Sequence, residues 1–234
     1  MTSIFKNTSY FTILFLSILT IDIVVKLYFE VFPYRFVSKA QVISSLLVFY
    51  LINQHELTKK RFLFMSLALS CFFLGDFFLI LYKNTALYII GMLCFIFGKL
   101  FYVFRFSNQK DFNMIRLFPF LALCFIYMFI LMKLVYSNLS VFFIPVLIYL
   151  FSSLLVALFA FLRKDAVSYK SYVLVIIGIF FAVLSDSIGV LQSFYNENLA
   201  YHEITIMLFY GLSQYFIVVG IVEENKVLII QEVN

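Results

Sequence analysis

Charged residues are scarce in this chain of 234 residues: Asp, Glu, Lys and Arg make up 12% of it, while 65% is hydrophobic. Soluble domains carry about 25% charged residues. No soluble core needs so much apolar surface. The composition therefore excludes a soluble globular domain and predicts an integral membrane protein.

Cysteine and proline are also scarce, with three residues of each. Cys71, Cys94 and Cys124 lie inside apolar runs without a CxxC spacing, so neither a disulfide framework nor a zinc site is indicated. The sequence also lacks a Gly-rich phosphate loop, a GxSxG elbow and an HExxH motif. No metal site is predicted from these patterns.

Long apolar runs fill the rest of the chain, and each has about the twenty residues that a helix needs to cross a bilayer. The breaks between them are rich in Asn, Ser and charge, as loops are. Helices satisfy their own backbone in lipid, whereas strands would need a closed barrel. The predicted fold class is all-α, a polytopic bundle of about eight transmembrane helices in a single integral membrane domain, residues 1–234. The predicted spans are about 9–29, 39–54, 62–82, 86–105, 115–136, 140–162, 171–193 and 203–222.

Lys and Arg are distributed unevenly over the predicted loops, and this asymmetry predicts that both termini are cytoplasmic. The net charge of +5 comes from short loops rather than from one contiguous basic face, so no nucleic-acid partner is expected. Lys99 lies inside a span. The side that holds both termini carries Lys6, Lys59, Lys60, Arg61, Arg105, Lys110, Arg116, Arg163, Lys164, Lys170 and Lys226, and the other side carries Lys26, Arg35, Lys39, Lys83 and Lys133.

Three aspartates, Asp22, Asp76 and Asp186, lie inside otherwise apolar runs. A carboxylate at such depth costs several kcal/mol unless it faces a partner or a watery cavity, so each is a candidate functional residue. At a rise of about 1.5 Å per residue, all three lie roughly 10 Å from the non-cytoplasmic surface. The alternative for Asp76 and Asp186 is a structural acid that is hydrogen-bonded or protonated.

Other polar residues extend this set towards the membrane centre. Lys99 either neutralises one of the aspartates or serves a site, and Gln214 either bonds helices together or contacts a ligand. Asp22 has Lys26 one turn further on, which predicts a local ion pair. The helix face around Asp186 predicts either tight packing on another helix or a cavity around the carboxylate. Its other members are Ala182, Gly189 and Ser193.

Several short motifs fall in a recognisable order along these spans. In them the chain resembles the YhhN-like family of eight-span proteins, which includes the animal lysoplasmalogenases. Span 4 of that family often reads Phe-x3-His-x2-Tyr, where this chain has Phe95, Lys99 and Tyr102, and Ala40 stands where a proline is common. The matching pieces are FVSKAQVISSLLV, which contains Lys39, LGDFFLIL, GMLCFIFGKLFYVFRF, FFAVLSDSIGV and FYGLSQYFIV.

The resemblance implies a hydrolase that cleaves the vinyl ether bond of a lysoplasmalogen, giving a fatty aldehyde and a glycerophospho-alcohol. Asp76 and Asp186 are the candidate catalytic pair, and which of them is the acid stays open. Lys39 would attract the lipid phosphate. The substrate partner is a membrane lysophospholipid, no protein partner is indicated, no metal or organic cofactor is needed, and the implied location is the bacterial inner (cell) membrane. The other candidate substrate-binding residues are Lys99, Tyr102, Gln214 and Asp22.

Buried acids, a buried lysine and small-residue faces are also typical of a proton-coupled transporter or a lipid-binding membrane protein. Transporters commonly show related halves and broken helices at the midplane. Here Pro33, Pro119 and Pro145 all lie in loops or near span ends, and no internal repeat is seen, which favours the hydrolase. Plain scaffolding would predict that Asp76→Asn is harmless.

Overall fold

The computed structural model describes residues 5–54, 56, 58–81, 83–107, 114–196 and 201–233, and these residues contain no β-strand. The predicted all-α fold class is therefore confirmed for the part of the chain described. The long helices are α1 (Thr8–Tyr28), α2 (Phe36–Asn53), α3 (Lys59–Ile80), α4 (Thr85–Phe106), α5 (Met114–Leu139), α6 (Phe143–Leu162), α7 (Tyr169–Phe194) and α8 (His202–Val233).

Residues in the polar breaks between apolar runs cap the helices that follow them. The side chain of Asn7 accepts a hydrogen bond from the backbone N–H of Ser9 at the start of α1. Thr58, Asn84 and Ser168 cap α3, α4 and α7 in the same way. Such caps satisfy backbone donors that a helix leaves free at its first turn. The Asn and Ser that mark loops in the sequence thus also fix where the spans begin.

Among the described residues, seven helical segments are long and apolar enough to cross a membrane, and one of them, Leu117–Leu162, is 46 residues long. That segment contains two helices, α5 and α6, separated by the 3-10 turn Ser140–Phe142. Ser140 has a positive φ of 42°, which breaks the helix. The ring of Phe120, early in α5, stacks on Phe161, late in α6, with centroids 4.7 Å apart. The two helices therefore run antiparallel, so the described residues contain eight long helices, consistent with an all-α polytopic membrane protein.

The start of the second span differs from its predicted position near residue 39. A π-helical turn, Val31–Arg35, leads directly into α2 at Phe36. Arg35 and Lys39, which suggested a loop, are each only 7% exposed, because their side chains point into the bundle. α8 also continues past its predicted end at 222, to Val233.

Helices α7 and α8 are in close contact near their middle. A Cβ on Gly178 would lie 2.9 Å from the backbone oxygen of Ser213 and 2.8 Å from Ile217 Cγ1. Only glycine permits this approach. One end of the same helix pair is different, because no described heavy atom lies within 4 Å of the position that a Gly189 Cβ would take. The face of α7 that carries Asp186 therefore does not pack tightly there.

Aromatic stacking forms the main core, and apolar side chains cover the outside. Phe11 of α1 stacks on Phe49 of α2 at 4.0 Å, and Phe15 stacks on Tyr215 of α8 at 5.1 Å. On α5, large side chains such as Phe129, at 70% exposed, face outward. This exposed apolar surface is typical of a lipid-facing helix. Lys110 of the charge count lies outside the described residues, and the orientation of the termini stays a prediction.

Candidate active site

A small cavity lies among α3, α4, α6, α7 and α8, with a volume of about 30 Å³. A space of this size has room for one or two water molecules. Its wall is mixed, with apolar residues such as Phe72, Phe95 and Val156 beside a larger polar set. The polar and aromatic hydroxyl-bearing residues of the wall are Lys99, Tyr102, Ser153, Ser185, Asp186, Tyr210, Ser213 and Gln214.

Asp186 is the acid of this cavity. Its Oδ2 lies 2.8 Å from Lys99 Nζ and accepts a hydrogen bond of 2.7 Å from the Ser153 hydroxyl. The Tyr149 hydroxyl donates to Oδ1, and the Lys99 ammonium lies 3.4 Å from the centroid of the Tyr149 ring. The side chains of Asp186 and Lys99 are 10% and 8% exposed. The hypothesis that Lys99 neutralises an aspartate is confirmed, and the open face around Asp186 is a cavity.

Tyr102 and Gln214, both candidate substrate-binding residues, lie together on the cavity wall. The Tyr102 hydroxyl donates to Gln214 Oε1 at 2.7 Å, and each residue is at most 3% exposed. The bond links α4 to α8, so Gln214 does hold helices together. It also faces the cavity, and both interpretations from the sequence therefore stay open.

Asp76 is not among the residues that line the cavity. Its Oδ1 lies 3.1 Å from Lys39 Nζ, and the two side chains are 3% and 8% exposed. Tyr210 joins this pair to the cavity, because its hydroxyl donates to Asp76 Oδ2 at 3.0 Å while the residue lines the cavity wall. The structure thus places Asp186 on the cavity and Asp76 behind Tyr210, in a second ion pair.

The predicted ion pair between Asp22 and Lys26 is wrong. Asp22 Oδ1 lies 2.6 Å from Arg35 Nη1 and accepts a 2.8 Å hydrogen bond from Ser38. Lys26 instead donates to the backbone oxygen of Glu203 at 3.1 Å. Asp22 pairs with Arg35 because the turn Val31–Arg35 and the start of α2 bring a guanidinium and a hydroxyl to the same carboxylate, and Arg is the stronger multidentate donor.

The sequence did not indicate two polar residues beside Asp186, and it did not indicate a network of buried ion pairs at one end of the bundle. Tyr149 and Ser153 were not identified, although Ser152–Ser153 is a polar pair within an apolar run. Arg105 and Arg163 were interpreted as loop charges, yet each is 2% exposed. They belong to a network of ion pairs, here named the terminal cluster, that consists of Glu56, Arg61, Arg105, Arg163 and Glu224.

Comparison with known proteins gives one match. The model of the YhhN family matches residues 34–221, which is more than half of the chain. The matched range contains Lys39, Asp76, Lys99 and Asp186 but not Asp22. No curated protein and no solved structure matches the chain.

Proposed function

The chain belongs to the YhhN family, and we propose that it is a lysoplasmalogenase-like membrane hydrolase. The substrate is a lysophospholipid with a vinyl ether bond, and the products are a fatty aldehyde and a glycerophospho-alcohol. The observation that carries the proposal is the carboxylate of Asp186 on the wall of a cavity with room for water.

The chemistry needs a proton donor, a water molecule and a carboxylate. A proton adds to the alkenyl carbon that is not bonded to oxygen, which leaves an oxocarbenium ion. Water then attacks the carbon next to the ether oxygen and loses a proton. The resulting hemiacetal breaks its bond to the glycerol oxygen and releases aldehyde and alcohol. No metal or redox group takes part in these steps.

Asp186 is placed to stabilise the oxocarbenium ion and to accept the proton of the attacking water. Lys99 offsets its charge in the apolar interior, and the hydroxyls of Tyr149 and Ser153 fix its orientation. We assign the proton donation to Asp76 in its protonated form: the carboxylic acid would pass its proton to the Tyr210 oxygen as the Tyr210 hydroxyl gives its own proton to the alkenyl carbon. The two side chains are 3.0 Å apart, and Tyr210 lines the cavity wall. Two acids in different surroundings can divide these roles.

The orientation of the protein completes the proposal. With both termini in the cytoplasm of a bacterial cell, the three aspartates lie in the outer half of the inner (cell) membrane. Lysophospholipid in the outer leaflet would then reach the site without first crossing the membrane.

The test is aldehyde release from a lysoplasmalogen by the purified full-length protein. We expect release by the wild type, a loss of about 100-fold or more in Asp186→Asn, and similar losses in Asp76→Asn and Tyr210→Phe. Glu223→Gln is the control, because Glu223 is not among the residues that line the cavity and it pairs with the exposed Lys170.

Absence of aldehyde from the folded wild type, across pH and head groups, would overturn the proposal. The lipid-binding or proton-coupled transport alternative would then take its place. Full activity in Asp186→Asn would contradict the assignment of the cavity as the active site.

A further inference from the structure

Two cations converge on the thioether of Met207, near the start of α8. Arg35 Nη2 lies 3.0 Å from Met207 Sδ, and Lys39 Nζ lies 3.6 Å from the same sulfur. A thioether is a weak acceptor, whereas guanidinium and ammonium groups are strong donors. Arg35 and Lys39, two strong donors, therefore share a weak acceptor, the sulfur of Met207. An anionic oxygen at the position of this sulfur would bind both cations more tightly.

Each of these cations also has a carboxylate partner, and Asp76 binds the same Lys39 nitrogen that lies near the sulfur. Asp22 binds Arg35 through Nη1, so Nη2 is left to the sulfur. Lys26 adds a third cation one helical turn away from Met207, since its ammonium binds the backbone oxygen of Glu203. The fold thus presents one guanidinium nitrogen, Arg35 Nη2, and the Lys39 ammonium to one point.

The side chain of Met207 can cover the point between Arg35 and Lys39 and can also move away from it. Its side chain is unbranched and flexible, and the residue is 9% exposed, so a change of rotamer would take the sulfur away from both cations. Lys39 is also the partner of Asp76, which in turn binds Tyr210 on the cavity wall. The point between the cations is therefore connected to the cavity through two side chains.

We propose that Arg35 and Lys39 form the subsite for the phosphate of the lipid head group, covered by Met207 until the lipid binds. In a lysoplasmalogen the glycerol backbone separates the phosphate from the vinyl ether bond, so the anion must lie beside the reaction cavity and not in it. Arg35 Nη2 supplies a charged N–H donor for a phosphate oxygen, and Lys39 supplies a point charge. The inference rests on the proposed function, because it identifies the head-group contact of the same site.

The experiment measures binding, not turnover, so that it stands apart from hydrolysis. Thermal stabilisation of the full-length protein in detergent is titrated with two uncleavable lipids of equal chain length, 1-alkyl-lysophosphatidylethanolamine and 1-alkylglycerol. We expect the phosphate-bearing lipid to bind about tenfold more tightly to the wild type. Inorganic phosphate alone is a third arm, and it should stabilise the protein far less if the subsite serves a lipid.

Met207→Glu and Met207→Gln form a matched pair of variants. The glutamate places a built-in carboxylate between the cations and should abolish the preference for the phosphate-bearing lipid. The glutamine has nearly the same shape without the charge and should retain most of the preference. Lys133→Gln is the control for loss of a distant cation, because Lys133 is exposed on α5. Asp22→Asn combined with Arg35→Gln removes the guanidinium without leaving a lone buried charge, and it should also lose the preference.

Three results would overturn the proposal. The first is equal binding of the two lipids by the wild type, and the second is an equal effect of Met207→Glu and Met207→Gln. The third is an unchanged preference in the double variant when it is folded. Since the lipids are not cleaved, these results would leave the hydrolase assignment standing, and a failure of hydrolysis would leave the binding result standing.

Discussion

At the end of the bundle where α2, α4 and α6 terminate, two glutamates share three arginines, whereas in the other half each buried aspartate has its own cation. In the terminal cluster, Glu224 lies within 3.5 Å of Arg61, Arg105 and Arg163. Asp186 has Lys99 as its only cation among the described residues, together with two hydroxyl donors. One region is a charged network of several helices, and the other is a set of single ion pairs around a cavity.

The terminal cluster and the single ion pairs are suited to different roles. Arginine forks bind carboxylates with several hydrogen bonds and fixed geometry, which fastens helix ends to one another. A lysine is a point charge that leaves part of its partner carboxylate available to other groups. Asp186 is also more exposed than Asp76, with 10% of its side chain accessible against 3%. The terminal cluster is thus a structural fastening, and the cavity is where chemistry is possible.

The largest effect is expected from breaking the terminal cluster. Glu224→Gln removes the carboxylate that Arg105 and Arg163 share; Arg105 keeps Glu56, but the buried Arg163 loses the carboxylate that compensates its charge. Loss of one partner in a buried ion pair costs about 3–5 kcal/mol. Thermal unfolding in detergent should show this loss.

The neighbouring variant Glu223→Gln should cost less than about 1 kcal/mol, because its ion pair with Lys170 is exposed. Equal stability of the two variants would remove the distinction between the regions.

The next largest effect should appear in activity. Lys99→Met keeps an unbranched side chain of similar length but leaves Asp186 without its cation. We expect aldehyde release to fall about 100-fold, as when one preorganised charge is removed from an active site. Lys133→Met, on the exposed face of α5, should leave the rate unchanged. A rate in Lys99→Met within twofold of the wild type would show that Asp186 works without its ammonium partner.

A smaller effect is expected from one hydroxyl. Tyr149→Phe keeps the ring against the Lys99 ammonium and removes only the donor to Asp186 Oδ1. Hydrogen bonds to charged groups contribute about 1.5–3 kcal/mol, so we expect a loss of about tenfold in rate. Tyr136→Phe, at a residue 68% exposed on α5, is the matched control. A loss of stability without a loss of rate would assign Tyr149 to packing.

The smallest effect concerns two glycines of α7. Gly189→Ala meets no described atom within 4 Å and should stabilise the helix by about 0.5–1 kcal/mol, because glycine is a poor helix former. Gly178→Ala should destabilise the protein, since its Cβ would lie 2.9 Å from a backbone oxygen of α8. Thermal unfolding of both variants gives the comparison. Destabilisation by Gly189→Ala would mean that the space beside it closes in solution.

The sequence predicts the spans well, because runs of apolar residues and polar breaks depend only on local composition. Breaks such as that at Asn84 are also helix caps, which makes them reliable markers. The prediction was wrong at the start of α2, where the charges of Arg35 and Lys39 suggested a loop. Both charges are compensated by aspartates on other helices, and one span gives no sign of what another will supply.

The candidate site was predictable in its residue types but not in its pairings. Buried acids stand out in an apolar run, and Asp186, Lys99, Tyr102 and Gln214 do meet at one cavity or in its wall. The choice of partner depends on how helices are rotated and shifted relative to one another. For this reason Asp22 pairs with Arg35 and not with the near Lys26. Tyr149 and Ser153 resemble ordinary span residues until α6 is seen beside Asp186.

Helices α7 and α8 pack closely at Gly178 but not at Gly189. The contact at Gly178 is therefore the pivot about which the two helices can rotate relative to each other. At the pivot the backbones are in contact and resist any change of separation. Towards Asp186 the two helices are joined by a 3.0 Å hydrogen bond from the Ser185 hydroxyl to the backbone oxygen of Ile206. A lipid chain that enters between α7 and α8 at this level would therefore have to break that hydrogen bond while the contact at Gly178 holds.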